Sequence, residues 1–247
     1  MDMPGVSAEK FQAVVDRVPA TVPEVIAQQA ELQRLLEAAA PAYPVTGLAY
    51  FNYLYKVITE TVLSALGDGS FNQPEFLSVL DVEFAKRYFS ALSAWGNRPL
   101  AAPRAWGVLL ERGYRPDISA MQFAVAGVNA HINFDLAFSV VNTFTALGID
   151  FDEDCRADYQ YVNQIFHVRI PTLKDYLENT FWARLDDLGG QWDDWLEDRT
   201  VVMTRDRAWK LARRIWAVRH LPEEVARASH RLDRSTSLIG RGLLVHV

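Results

Sequence analysis

The feature that most constrains this chain is a long apolar segment with five polar side chains inside it. Between Phe123 and Asn142 nearly every position is hydrophobic on every side of a helical wheel, the pattern of a helix buried all round by its neighbours. Asn129, His131, Asn133, Asp135 and Asn142 interrupt it. A buried polar group costs free energy unless it is hydrogen-bonded, and a buried carboxylate costs far more. The same stretch therefore speaks to the fold and marks where a site is to be sought.

At 100° per residue, His131, Asp135 and Asn142 fall within about 40° of one another. His131 and Asp135 stand at i and i+4 and so are neighbours on one face. Asn129 and Asn133 form a similar pair on roughly the opposite side. The helix is thus predicted to carry two polar stripes, of which the first holds an acid, a base and an amide.

Helical periodicity recurs along the rest of the chain, and strand signals are scarce. Thr21 followed by Pro23 marks a helix start, with Ala40-Pro41-Ala42-Tyr43-Pro44 as its break. Leu48, Phe51, Tyr55, Ile58, Val62 and Leu66 repeat every three or four residues, which predicts an amphipathic helix stopped at Gly67-Asp68-Gly69. A second such helix is expected over about 73–93, and a short one ending near Gly113. The helix that carries the polar stripes is capped by Asp117 or Ser119 and runs to Leu147, with Gly148 as its stop and a kink near Gly127. Further helices are expected at about 154–169 (ended by Pro171), 172–188, 191–198, 204–219 and 222–232, with Gly189-Gly190 as a clear break. Neither a repeat nor a linker is evident. The prediction is all-α, one helical-bundle domain over 1–247 around one long central helix, with loosely held ends at about 1–6 and 236–247.

Half of the residues are hydrophobic and 12% are aromatic, ample material for a packed core. The formal net charge of -6 predicts neither nucleic acid nor an anionic membrane as a partner. Basic residues gather at 199–219, but acidic ones interleave, as in Arg205-Asp206-Arg207, and this is read as a solvated or pairing helix face. Cys155 is the single cysteine, which suits a reducing compartment and excludes a cysteine-based metal cluster. The start of the chain lacks a signal-peptide pattern, and no uninterrupted apolar run approaches the ~20 residues that span a bilayer. A cytoplasmic location is the expectation. Frequent Ala, and Arg in excess of Lys, suggest a bacterial coding bias.

Other candidates are weaker. Tyr50, Asn52, Tyr53, Tyr55 and Lys56 crowd one helix; some of the tyrosines belong to the core, while Tyr50 or Tyr53 offers a hydroxyl to a cavity. His167, four residues after Asn163, is a candidate to meet His131 across the bundle. Asp81-Val82-Glu83-Phe84-Ala85-Lys86-Arg87 reads as surface ion pairs at i+3 and i+4. Asp193-Asp194-Trp195-Leu196-Glu197 is similar to the aspartate-rich metal motif of terpene cyclases over those five residues; a second metal motif does not follow it, and a charged surface turn between tryptophans accounts for it. Cys155 lies beside Asp152-Glu153-Asp154, which raises its pKa and argues against a thiolate nucleophile. Nucleophile-elbow, phosphate-loop, dinucleotide and His-Glu-x-x-His motifs are missing from the sequence.

Gly127-Val128-Asn129-Ala130-His131-Ile132-Asn133-Phe134-Asp135-Leu136 resembles the signature of an uncharacterised helical bacterial family, a domain of unknown function common in actinobacteria. Leu48-Ala49-Tyr50-Phe51-Asn52-Tyr53-Leu54-Tyr55 and Leu80-Asp81-Val82-Glu83-Phe84-Ala85 are similar to parts of it. The resemblance covers most of the chain and implies an all-helical single domain; it implies no reaction.

The functional expectation is a cofactor-independent enzyme of specialised metabolism that performs acid–base chemistry, of cyclisation or isomerisation type, on a largely apolar small molecule. His131 moves the proton, Asp135 orients it and raises its pKa, and Asn142, Asn129, Asn133, Tyr50 or Tyr53 positions the substrate. Two alternatives use the same residues. One is a hydrolase whose divalent metal is held by His131, Asp135 and His167; the other is a non-catalytic protein that binds an apolar ligand.

Overall fold

The structure, a computed structural model, describes residues 5–38, 45–179 and 198–245. Among these the chain forms helices and no strand, as the all-α reading requires. Helices α1 (Ala8–Val15) and α2 (Val22–Glu37) start at Ser7 and Thr21, whose hydroxyls accept from the Lys10 and Glu24 amides. Helices α3 (Gly47–Gly67) and α4 (Pro74–Asn97) are the amphipathic pair expected from periodicity, and α3 buries Leu48, Phe51, Tyr55, Ile58 and Val62. The short α5 (Arg104–Arg112) follows.

Helix α6 (Ala120–Ala130) opens in a reciprocal cap between Ser119 and Gln122. It passes without a break through a π turn (His131–Asp135) into α7 (Leu136–Leu147), which ends at Gly148 in the left-handed conformation, φ 67°. Helices α8 (Cys155–Asn179), α9 (Asp198–Ala217) and α10 (Pro222–Leu243) complete the described fold. α6 packs against α3, α5 and α10; the π turn meets α4, α9 and α10; and α7 packs against α4 and α9. By length and composition Ala120–Leu147 would also cross a membrane, but 94% of its most apolar window is buried inside the protein.

The structure departs from several expectations. Gly127 is not the kink. It is a point of close approach by α3, because a Cβ there would stand 2.3 Å from Phe51 Cγ. The irregularity comes one turn later, as the π turn. Pro171 does not end α8, which continues to Asn179; a proline inside a helix removes one hydrogen bond without forbidding the turns on either side. Residues 236–243 are not a loose tail but the last turns of α10. They are held because Gln122 Nε2 donates to the carbonyls of Leu243 and Val245, and Arg112 donates to that of Leu244. Asp233 of α10 also accepts from the Ala105 amide at the start of α5. The Asp193–Glu197 motif, the Gly189-Gly190 break and the two prolines at 41 and 44 lie outside the described residues.

Candidate functional site

In the π turn the Leu136 amide reaches back five residues to the His131 carbonyl, so one extra residue is wound into that turn. His131 and Asp135 still face each other. Nδ1 of His131 lies 3.2 Å from Oδ2 of Asp135, and both residues are buried. The same Oδ2 accepts from Trp106 Nε1 at 2.9 Å, and Oδ1 accepts from Arg87 Nε at 3.2 Å. With Arg87 and Trp106 both donating, Asp135 accepts as a carboxylate, and the hydrogen-bond pattern places the imidazole proton on Nδ1. That leaves a lone pair on Nε2, which is buried and has no hydrogen-bond partner among the described residues.

Aromatic rings fix the imidazole plane. Phe84 stacks on it with centroids 3.4 Å apart and planes 6° from parallel, while Tyr55 meets it at 4.5 Å and 63°. Phe51 and Trp106 complete the enclosure. This burial corrects one expectation. Desolvation pulls the His131 pKa below its ordinary value, and the hydrogen bond and charge of Asp135 offset that only in part. At neutral pH His131 is therefore a neutral base, not a cation.

His131 lines a cavity of about 50 Å³ whose aliphatic and aromatic walls come from α3, α4, α6, the π turn, α7 and α8. Three other polar residues line it: Tyr55, Asp81 and Arg205. Each carries one buried atom with no hydrogen-bond partner among the described residues: Tyr55 Oη, Asp81 Oδ2 and Arg205 Nε. Buried polar atoms are nearly always paired, so four such atoms on the residues of one cavity form an exception that needs a cause. Burial pushes the Asp81 carboxyl up to about 7. The Tyr55 hydroxyl is raised well above its usual value by burial and then by the charges of Asp81 and Asp135. Burial lowers the Arg205 pKa, against the influence of Tyr159.

The remaining predicted residues are dispersed. Asn129 Nδ2 donates to the Thr236 carbonyl of α10, and Asn133 Nδ2 donates to Asn129 Oδ1, so this pair ties two helices together away from the cavity. Tyr50 stacks on Phe123, and Tyr53 lies half-buried with Lys56 near its ring; the cavity takes Tyr55 instead of either. Asn142 is exposed. The π turn explains this: an extra residue in one turn rotates everything after it by about 100° against the regular wheel. Ser139 and Thr143, both fully buried, continue the His131 stripe in its place.

His167 is exposed on α8 and does not line the cavity, so the proposed metal set of His131, Asp135 and His167 does not converge. Both Asp135 oxygens already accept from nitrogen donors, one of them cationic. Among the described residues, no group of three or more His, Cys, Asp or Glu side chains is placed to hold a metal. Cys155 is buried, and its thiol is pushed up to about 11 by burial first and by Asp152, Asp158 and Asp154 after it.

Sequence reasoning missed Asp81, Arg87, Trp106 and Arg205. For two of them a signal was present. Arg205 stands in the buried stripe Val201, Ala208, Trp209, Ala212 and Ile215, and Asp81 stands in the stripe Leu77, Phe84 and Tyr88. A charge at a core position of an amphipathic helix is as telling as one in an all-apolar helix. Of the ion pairs expected within the 81–87 stretch, Glu83 and Lys86 do pair.

Fold and site together define an all-α protein with a caged imidazole–carboxylate pair opening on a small, mostly apolar cavity. The chain belongs to the family of unknown function DUF5995, whose model matches residues 22–246. No curated protein and no solved structure matches it.

Proposed function

We propose that this protein is a small-molecule enzyme that transfers a proton, in an isomerisation or cyclisation, on a largely apolar substrate whose reacting part enters the cavity. The observation that carries this reading is Nε2 of His131, a buried lone pair with no partner among the described residues, on a residue lining that cavity. Asp135 holds the other ring nitrogen and is itself held by Arg87 and Trp106. A base needs this arrangement: an oriented ring, a defined tautomer and a neutral state near pH 7. The cavity volume restricts the occupant to a small molecule or to one end of a larger one.

The test is proton exchange in D2O. A panel of short ketones and enones is incubated with the protein, and carbon-bound deuterium is read by mass spectrometry. Exchange above the buffer rate is expected with at least one compound, and His131→Gln should lower it by about 10²–10⁴-fold. A variant that exchanges as fast as the wild type sinks the proposal. The apolar walls also favour a second reading, a protein that binds such a ligand without turnover; saturable binding with no exchange would select it.

A further inference from the structure

We infer that the cavity takes a ligand bearing a carboxylate, gripped by the buried guanidinium of Arg205, with its apolar body against the walls. This deepens the acid–base reading and rests on it for the role of His131; the ligand class itself rests on Arg205.

Arg205 is only 3% exposed. Its Nη2 donates to the Tyr159 carbonyl at 2.7 Å, and its guanidinium lies 4.4 Å from the centre of the Tyr159 ring. Neither contact is an anion, and no carboxylate among the described residues pairs with it. The neighbouring Asp206 turns instead to Arg156 and Lys210. Nε is buried and has no hydrogen-bond partner among the described residues.

The groups facing the cavity from the other elements do not balance this charge. Tyr55 of α3 is neutral, and His131 of the π turn is held neutral by burial. Asp81 of α4 is pushed toward its protonated form. Asp135 is matched by Arg87. With Asp81 protonated, one guanidinium charge is left over in an apolar setting, and leaving such a cation uncompensated is costly. A ligand carboxylate removes that cost and accepts a charge-assisted hydrogen bond from Nε. Tyr55 Oη, and Asp81 in its protonated form, supply further donors for an oxyanion, and His131 Nε2 is an acceptor.

The experiment uses the full-length wild-type protein labelled with ¹⁵N-arginine. Acetate, propanoate and butanoate are titrated at neutral pH, each against the primary alcohol of the same chain length. The Arg205 Nε–H resonance, assigned by its loss in Arg205→Met, reports the location. We expect each carboxylate to bind about tenfold or more tightly than its alcohol, with affinity rising along the series and the Arg205 signal moving. Arg205→Lys should keep part of the preference and Arg205→Met none. Equal binding of alcohol and acid, binding that leaves the Arg205 signal in place, or no binding by any acid overturns the inference. If Arg205→Met does not fold, the signal is assigned in Arg205→Lys and the wild-type comparison decides alone. Proton exchange that fails while the carboxylate preference stands removes the enzyme reading and leaves this one; exchange on neutral ketones without that preference does the reverse.

Discussion

The two polar sides of the α6–π segment both lie in the interior, with only Asn133 partly exposed, but they are differently satisfied. On one side Asn129 and Asn133 bond to each other and to α10. On the other, Asp135 is bonded on both oxygens, while the ring it holds has a bare Nε2 on a cavity whose remaining polar residues each leave one atom unpaired. Burial alone therefore does not separate a structural polar group from a functional one. What separates them is whether the hydrogen bonds close within the protein.

The largest break in this comparison should come from Asp135→Ala. Arg87, the Trp106 N–H and His131 Nδ1–H would all lose their acceptor, and a loss of about 3–5 kcal/mol is expected in urea denaturation. A milder loss than that of Asn129→Ala would mean that Asp135 does not organise its side. The next effect is pH-dependent. Asp81 has its pKa raised in the folded state, so its contribution is fully present below the ordinary carboxyl value and is lost as pH rises through about 7. His131 is shifted down, so its contribution is present above the ordinary imidazole value and is lost on acidification. Asp81→Asn should flatten the fall in stability between about pH 4 and 7, and His131→Gln should flatten the fall on the acid side. Asn129→Ala should change neither limb, because its side of the helix holds no titratable group.

Asn129→Ala should cost about 1–3 kcal/mol in urea denaturation, since it removes the hydrogen bond to the Thr236 carbonyl and the acceptor of the Asn133 amide. Its proton exchange and carboxylate binding should match the wild type. His131→Gln reverses the pattern, with a stability change of about 1 kcal/mol and exchange lost. If both variants lost stability and activity together, the two sides would not be separable.

Much of this was legible in the sequence, and the reasons differ by element. The α3 and α4 helices followed from a three- and four-residue repeat, and the His131–Asp135 pair followed from an i, i+4 spacing that survives the π turn. Arg205 was misread because its neighbours Asp206 and Arg207 are charged, although Val201, Ala208 and Trp209 set its true face. Arg87 and Trp106 reach Asp135 from α4 and α5 by tertiary packing, for which a one-dimensional pattern has no signal. The direction of the His131 shift depended on a contest between burial and Asp135, and the aromatic cage decided it.

The smallest effect tests the point at which the wheel arithmetic failed. A regular helix would put Asn142 on the His131 stripe, but the π turn moves it to the surface and puts Thr143 in its place. Asn142→Ala should therefore stay within about 0.5 kcal/mol of the wild type in urea denaturation, with unchanged proton exchange. Thr143→Asn should be the costly change, because it forces a larger polar side chain into a fully buried position whose hydroxyl already bonds to the Ser139 carbonyl. Were Asn142→Ala the more damaging of the two, the extra residue would not lie in the turn His131–Asp135. The hydrogen bond from Leu136 to His131, which gives the site its register, would then be wrong as well.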